Sequence, residues 1–315
     1  MVTNPGYIIV INGSDKTSII HDKLISLTLT DNANNESDEL EIILSGNFTR
    51  PRYEDQIKIF FGYGIDVQFM GLFNVQSTSK TFTQLSIKAT GIDFSDNFKV
   101  KRNITYEKLS LKQLANQIAD RHNLKLKSDF DDIYLISQSQ SNESDMHFLN
   151  RLAKEYNALF NIKNDTLYFV KKIKENKKND DLPKYSIDVN YCTDISIEHS
   201  NKTSYNSCEV TWHDTKENKT FTKVYPPNGG EPILKFKGSF KNEAHAIERA
   251  KAQLQKANQG LISGNLRKSG DVIFAGGILT LLNNIDEDEE EYQITRVTHN
   301  LDKQSGWITS LEFEK

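Results

Sequence analysis

The sequence is short of cysteine, proline, tryptophan and methionine: its 315 residues hold 2 Cys, 6 Pro, 2 Trp and 3 Met. Two thiols cannot build a framework of several disulfides or a four-thiolate zinc site. Cys192 and Cys208 also lack metal spacing, so both are read as free thiols of a chain made in a reducing compartment. Apolar residues are scarce too, at 37% of the chain. Counted with glycine and without tyrosine, the fraction is about 38%, against about 45–50% in an ordinary globular protein. One deep core is disfavoured, and the length suggests about two domains with shallow cores.

No charge dominates. With 39 Lys+Arg against 43 Asp+Glu the net charge is -4, so no global positive field exists to gather nucleic acid or anionic lipid, and neither is expected as a partner. The first residues carry no Lys or Arg, and the apolar run from Tyr7 ends at Asn12-Gly13, too short for a signal peptide or a membrane span. Motifs for a P-loop, a dinucleotide fold, a nucleophile elbow or a zinc helix are missing as well. No cofactor or metal is expected.

What is there is mostly period two. Leu24–Thr30, Leu40–Leu44, Ile57–Phe61 and Leu85–Ala89 alternate apolar and polar residues, punctuated by Gly62, Gly64, Gly71 and Gly91. Short strands at this spacing indicate an antiparallel barrel or sandwich over residues 1–98. The period then changes. Leu111, Leu114, Ala115 and Ile118 make a helical stripe behind Ser110 as N-cap, and a second helix from near Ser144 stacks Phe148, Leu149, Leu152, Ala153 and Tyr156. Leu159–Ile162 and Leu167–Val170 then read as a hairpin, giving an α/β module over 99–175.

The charged stretch 171–185 reads as a linker or exposed loop. Beyond it, strand signals return at 195–199, 208–212, 271–274, 278–282, 292–298 and 308–313. A helix is inserted with Asn242 as cap, Ile247, Ala250, Leu254 and Ala257 as stripe, and Gly260 past its end. Residues 176–315 form a second β domain, discontinuous if 220–265 is an excursion. Phe73–Ser77 with Leu85–Ile87 resembles Tyr292–Arg296 with Ile308–Leu311 in strand, turn, strand order. Hairpins converge easily, so this pattern alone leaves a duplication open.

Candidate chemistry is thin. The histidines at 21, 122, 147, 199, 213, 245 and 299 form no helical pair for zinc and read as surface or packing residues. His213-Asp214 are strand neighbours that face opposite ways. The acidic run 286–291 lacks the interleaved ligands of a calcium loop and reads as a solvated hairpin tip. Glu143 and Asp145 could pass for a glycosidase carboxylate pair, but acidic residues at a helix start are what the macrodipole favours. Gly276-Gly277 lies in a β context and reads as a tight turn or bulge. The basic residues Lys99, Lys101 and Arg102 and the run 171–178 lack interleaved aromatics and read as solvated faces.

Two stretches carry more. Glu143-Ser144-Asp145-Met146-His147-Phe148-Leu149-Asn150-Arg151-Leu152-Ala153-Lys154-Glu155-Tyr156-Asn157-Ala158 resembles the E-S-D-W-x-F-L-x-R-L-A-x-E-x-G-A signature of the phage late control D and VgrG-type baseplate hub family. Ser269-Gly270-Asp271 through Gly276-Gly277, with Ile294–Asp302 (including His299) and Gly306–Thr309, is similar to that family's closing block. Met146 replaces the frequent Trp and Asn157 the frequent Gly, so local packing and the helix end should differ. No glycine-rich β-helical tail is seen after the closing block, so a separate spike protein is expected.

The resemblance implies a structural, non-enzymatic baseplate hub of a contractile tail, located in the virion baseplate and assembled in the bacterial host cytoplasm. It implies an α+β, mainly β fold with two similar antiparallel β-barrels flanking an α/β module. The same resemblance implies a homotrimer whose paired barrels make a pseudo-sixfold adaptor between tail tube protein and spike protein, with tape-measure and baseplate wedge proteins as further candidate neighbours. Phe148, Leu149, Leu152 and Tyr156 would form the inner helix face, and Arg151 would partner a nearby carboxylate. A tail-associated cell-wall hydrolase or glycan-binding component is the alternative, and the hub of a tailocin or secretion-type injector is a third. The lean apolar fraction would then mean a thin-walled ring whose isolated subunit is less stable than the trimer.

Overall fold

A computed structural model describes residues 5–33, 37–46, 48–53, 55–91, 98, 100–131, 133–163, 166–171, 182–200, 204–214, 217–238, 240, 242–283 and 291–315. The acidic run except Glu291, the stretch 172–181 and Lys99 lie outside the described residues. The fold is mainly β. The first strands are β1 (Pro5–Ile11), β2 (Ser14–Asp15), β3 (Leu24–Asn32), β4 (Glu39–Ser45), β5 (Gln56–Tyr63), β6 (Asp66–Lys80) and β7 (Gln84–Thr90), with a short helix α1 (Thr17–His21) before β3. Their alternation does what period two requires: Leu27, Leu29, Leu40, Ile42, Ile57, Ile59, Phe61 and Leu85 are all buried in one core.

The α/β module consists of β8 (Lys101–Ser110), α2 (Leu111–Arg121), β9 (Lys125–Ser128), β10 (Tyr134–Ser144), α3 (Asp145–Tyr156), β11 (Ala158–Lys163) and β12 (Thr166–Lys171). Ser110 and Gln113 form a reciprocal capping box at α2, which satisfies two backbone donors at its start. Leu111, Leu114 and Ile118 of α2 meet Phe148, Leu149 and Leu152 of α3 in a second, separate core. β8 and β10, which lack clean alternation, pair with each other, and β9 joins the β11–β12 hairpin in parallel.

The remaining elements are β13 (Lys184–Asp188), β14 (Cys192–His199), β15 (Ser207–Asp214), β16 (Lys219–Tyr225), β17 (Ile233–Lys237), α4 (Glu243–Asn258), β18 (Ile262–Ser269), β19 (Ile278–Leu282), β20 (Glu291–Asp302) and β21 (Gly306–Glu314). β15, β16 and β17 form a small sheet covered by α4, whose Ala246 and Ala250 face Cys208, Val210 and Trp212. Asn242 caps α4 by accepting from the His245 N–H at 2.8 Å.

The other strands join the first set in one 13-stranded sheet, through β20 paired to β3. Among the described residues its pairings do not close into a barrel. They are not purely antiparallel either, since β13 runs parallel to β19. The expected strand at 271–274 is a correction: Asp271, Val272, Ile273 and Phe274 belong to no strand, and the ladder lies instead at 262–269. The segment is an apolar strap across the sheet, with Ile273 buried, and its N–H groups go to side chains: Phe274 donates to the Tyr185 hydroxyl and Ala275 to Asp31.

The sheet repeats itself. In the first unit the neighbour order is β3-β4-β7-β6-β5-β1, and in the second it is β14-β18-β21-β20-β19-β13. Corresponding strands also come in the same chain order, and five of the six run in the same sense; the sixth does not, because β1 is antiparallel to β5 whereas β13 is parallel to β19. Val75 opposite Ala89 corresponds to Ile294 opposite Phe313, Ile87 opposite Ile42 to Leu311 opposite Leu266, and Ile57 opposite Phe73 to Leu279 opposite Tyr292. Irregularities coincide as well. The β6–β7 ladder shifts between Val75 and Ser77, and β20–β21 between Ile294 and Arg296; β3–β4 shifts between Leu24 and Ser26, and β14–β18 between Cys192 and Asp194. Two bulges at matching positions in five matching strands exceed what unrelated hairpins produce.

Candidate functional site

The start of α3 gathers three basic side chains around one buried carboxylate. Ser144, in extended conformation, accepts from the His147 N–H and caps the helix, which puts Asp145 in the first turn, where the macrodipole favours an anion. The Asp145 side chain is fully buried. Its oxygens accept from Arg121 Nη1 at 2.7 Å, His122 Nε2 at 2.8 Å, Gln140 Nε2 at 2.9 Å and Arg102 Nε at 3.3 Å. Burial alone would raise this carboxyl's pKa, but the bonds from Gln140, Arg121 and His122 outweigh it and hold it below the ordinary range. Burial pushes His122 down despite Asp145, and Phe98 stacks on its ring with centroids 3.5 Å apart. A neutral His122 donates from Nε2.

A second chain of ion pairs runs along the outside of α3. Arg151 Nε and Nη2 grip Glu143 at 3.0 and 3.1 Å, the same guanidinium donates to the Ser139 carbonyl, and its plane lies 5.1 Å from the Phe148 ring centre. Glu155 meets Arg249 of α4 at 2.7 Å. Arg249 also lies over the Tyr156 ring and donates to the Glu155 carbonyl; burial lowers its pKa to about 10. Tyr156 is pushed up to about 12 by burial and approaches His245 Nε2 at 3.4 Å. Phe148, Leu149 and Leu152 sit inside the module core. Asn157 ends the helix at φ 50, ψ 46, the left-handed conformation that makes glycine the common residue there.

The closing block is a separate cluster. His299 of β20 is fully buried, with Nδ1 3.1 Å from the Thr309 hydroxyl and Nε2 3.1 Å from the Ile273 carbonyl. Asp271 N–H donates to Thr309, and Lys268 pairs with Asp271 at 2.6 Å. Gly270 lies flat beneath the Trp307 indole, where a Cβ would come within 2.1 Å of the ring. Tyr63 of the first unit donates to the Gly270 carbonyl. Gly276 turns the strap at φ 85, and Gly277 presses against Tyr185.

Residues 96–305, well over half of the chain, match the family described as phage tail baseplate hub (GPD). The chain belongs to that family. Among proteins similar to the hub is the probable baseplate hub protein of Escherichia phage 186, 24% identical over 98% of this chain and 92% of the relative. Among solved structures, a tail protein from Neisseria meningitidis MC58 superposes with a TM-score of 0.69 at 10% identity, over 99% of this chain and 96% of that one. An Escherichia coli component of the type VI secretion system, described as similar to T4 tail proteins, does so at 0.57 and 10% identity, over 97% and 76%. The hub is a component of the virion tail baseplate.

For the hub, the motif residues form braces. Glu143 and Asp145 are each engaged by guanidinium groups, Asp145 fully buried and Glu143 partly exposed. Arg102, expected on a solvated face, is instead half-buried against Asp145, because β8 opens beside β10 and directs it inward. Arg121, His122, Gln140, Arg249 and His245 were not singled out in the sequence as members of any site; only the buried carboxylate that needs partners could have flagged them. Of the other histidines, His21 bonds to Tyr7 and His213 to Thr220. Cys208 is buried, which pushes its thiol up to about 11. No helix among the described residues is long and apolar enough to cross a membrane.

Proposed function

We propose that the hub acts as a homotrimeric adaptor between the tail tube and the spike, built from two similar β-barrels per chain so that three chains present six near-equivalent surfaces. The observation that carries this reading is the repeated five-strand unit with its matched bulges. A duplicated unit in a trimer reconciles a sixfold tube with a threefold spike, since each chain supplies two docking surfaces to one ring and one copy of everything else. On this reading residues 1–98 and 176–315 are the two barrels, closed by neighbours in the ring, and 99–175 is the module between them. The motif residues Glu143, Asp145, Arg151 and Tyr156 and the closing residues Gly270, Asp271, Gly276, Gly277 and His299 are braces, and the role is structural rather than enzymatic. Assembly takes place in the host cytoplasm, with tape-measure and wedge proteins as neighbours.

Light scattering of the purified hub, alone and mixed with its tail tube and spike proteins, tests the reading. Three chains per particle and co-elution with both proteins are expected. A persistent monomer that ignores both would overturn it, and turnover of purified peptidoglycan by the wild-type hub would replace it with the hydrolase reading.

A further inference from the structure

The repeat lets the edges of the sheet be compared position by position, and they are in different states. Within the chain, β20 of the second unit pairs antiparallel with β3 of the first, from Arg296 opposite Asn32 to Asp302 opposite Ser26. The same two positions in the opposite units are β6 and β14. β5 accompanies β6 only as far as Gln56 beside Asn74, and from Ser77 onward the ladder of β6 is with β7 alone. β14 pairs with β18 alone, among the described residues. The chain therefore carries one completed joint and the two separate halves of another.

Burial follows the same division. Leu27 and Leu29 of β3, beneath the completed joint, are 0% and 1% exposed. Their counterparts on β14, Ile195 and Ile197, are only partly buried, against the core of the second unit around Leu266, Val297 and Leu311. On the other strand, Val297 is fully buried while its counterpart Thr78 is half-exposed.

We infer that β6 of one copy pairs antiparallel with β14 of a second copy, reproducing between chains the joint that β20 and β3 make within one. The inference rests on the trimeric reading and supplies its interface. Carrying the register across sets Ser77 opposite Ser200 and Ser79 opposite Glu198 of the second copy. Because the two surfaces differ, the contact is head-to-tail and must close to avoid a filament. Three such joints alternating with three internal ones give a ring of six. The new joint is shorter than the internal one, because the β6–β7 hairpin turns at Thr81 whereas β20 runs on to Asp302. The stretch of β6 beyond β5 is short and ends in Lys80, and β14 carries Asp194 and Glu198; short and charged edges are those least prone to pair indiscriminately before the matching edge arrives.

Disulfide trapping in the full chain tests this, in a Cys192→Ser background. Ser79→Cys combined with Glu198→Cys should cross-link under mild oxidation at least tenfold faster than Ser79→Cys combined with Asp194→Cys, and the covalent ladder should stop at three chains. A second measurement needs no substitution: in the assembled wild-type protein the outward amides of β6 over 77–80 and of β14 over 194–199 should exchange at least tenfold more slowly than those of the edge strand β16. A particle proven trimeric by light scattering, but with equal cross-linking rates for both pairs or unprotected amides, overturns the joint and leaves the trimer standing. A chain that stays monomeric at every concentration overturns both.

Discussion

The closing block makes a pH prediction that can be worked from one residue. His299 has no exposed surface, and its Nε2 faces the Ile273 carbonyl, which can only accept, so Nε2 carries a proton. Burial lowers its pKa to about 4, against the opposing pull of the Ile273 carbonyl and of the Asp31 and Asp271 carboxylates facing it from β3 and the strap. The unfolded value is about 6.5. A folded pKa below the unfolded one gives stability that is present above about pH 6.5 and is lost as pH falls toward about 4. Between pH 7 and pH 5 the linkage amounts to about 2 kcal/mol from this residue alone. His299→Gln removes the titration and retains a donor for Ile273. Urea unfolding can be followed through Trp307, whose ring centre is 5.9 Å from that of His299, with Trp212→Phe silencing the other indole. The wild-type protein should lose about 2 kcal/mol more than the variant over that pH interval. Equal losses would show that His299 is not held neutral in the fold, and the reasoning would fail.

Three further outcomes follow from the same geometry. Asp145→Ala removes the carboxylate that accepts from Arg102, Arg121 and Gln140 and should destabilise the α/β module by about 3–5 kcal/mol, read as lost hydrogen-exchange protection over 111–121 and 145–156 because neither tryptophan lies in the module. Gly270→Ala drives a Cβ into the Trp307 ring and should lower stability by about 1–3 kcal/mol in a thermal melt; an unchanged melt would mean that the strap shifts freely. If the hub is a trimer, its Tm should rise with protein concentration, and a Tm independent of concentration would contradict the linkage between assembly and the lean apolar fraction.

Much of the fold can be read from local pattern, because the forces that set it are local. Leu111, Leu114 and Ile118 behind Ser110, and Phe148, Leu149 and Leu152 behind Ser144, announce α2 and α3 by period and cap. The strands with clean alternation are equally legible. Legibility fails where apolar residues fill a core without entering a ladder, as Val272, Ile273 and Phe274 do. It fails again where strands such as β8 and β10 owe their existence to each other and not to alternation. Within the motif, Asp145 is visible but its partners come from β8, α2 and β10, separated by up to 43 positions in the chain, and no spacing rule links them. The duplication showed only as one similar hairpin, since what the two units share is register and bulge position, and few of the side chains at matching positions are alike.

The differences between the two units are as informative as their likeness. In the first, the connection from β3 to β4 spans only residues 33–38; at the matching place, between β14 and β18, the second unit inserts β15, β16, β17 and α4. The α/β module is likewise present once, between the units. These two single-copy additions meet each other: Glu155 and Tyr156 of α3 engage Arg249 and His245 of α4. The module is in turn fastened to the sheet at the β3–β20 joint, where Asn161 donates to the Asn32 carbonyl and Arg296 to the Asn32 side chain. In a trimer of this chain, the repeated sheet can supply features in sixes, whereas the coupled additions can supply them only in threes. On the proposed trimer, the surfaces that distinguish a threefold partner from a sixfold one would be drawn from these single-copy additions, which Arg249 joins to each other and Asn32 joins to the sheet.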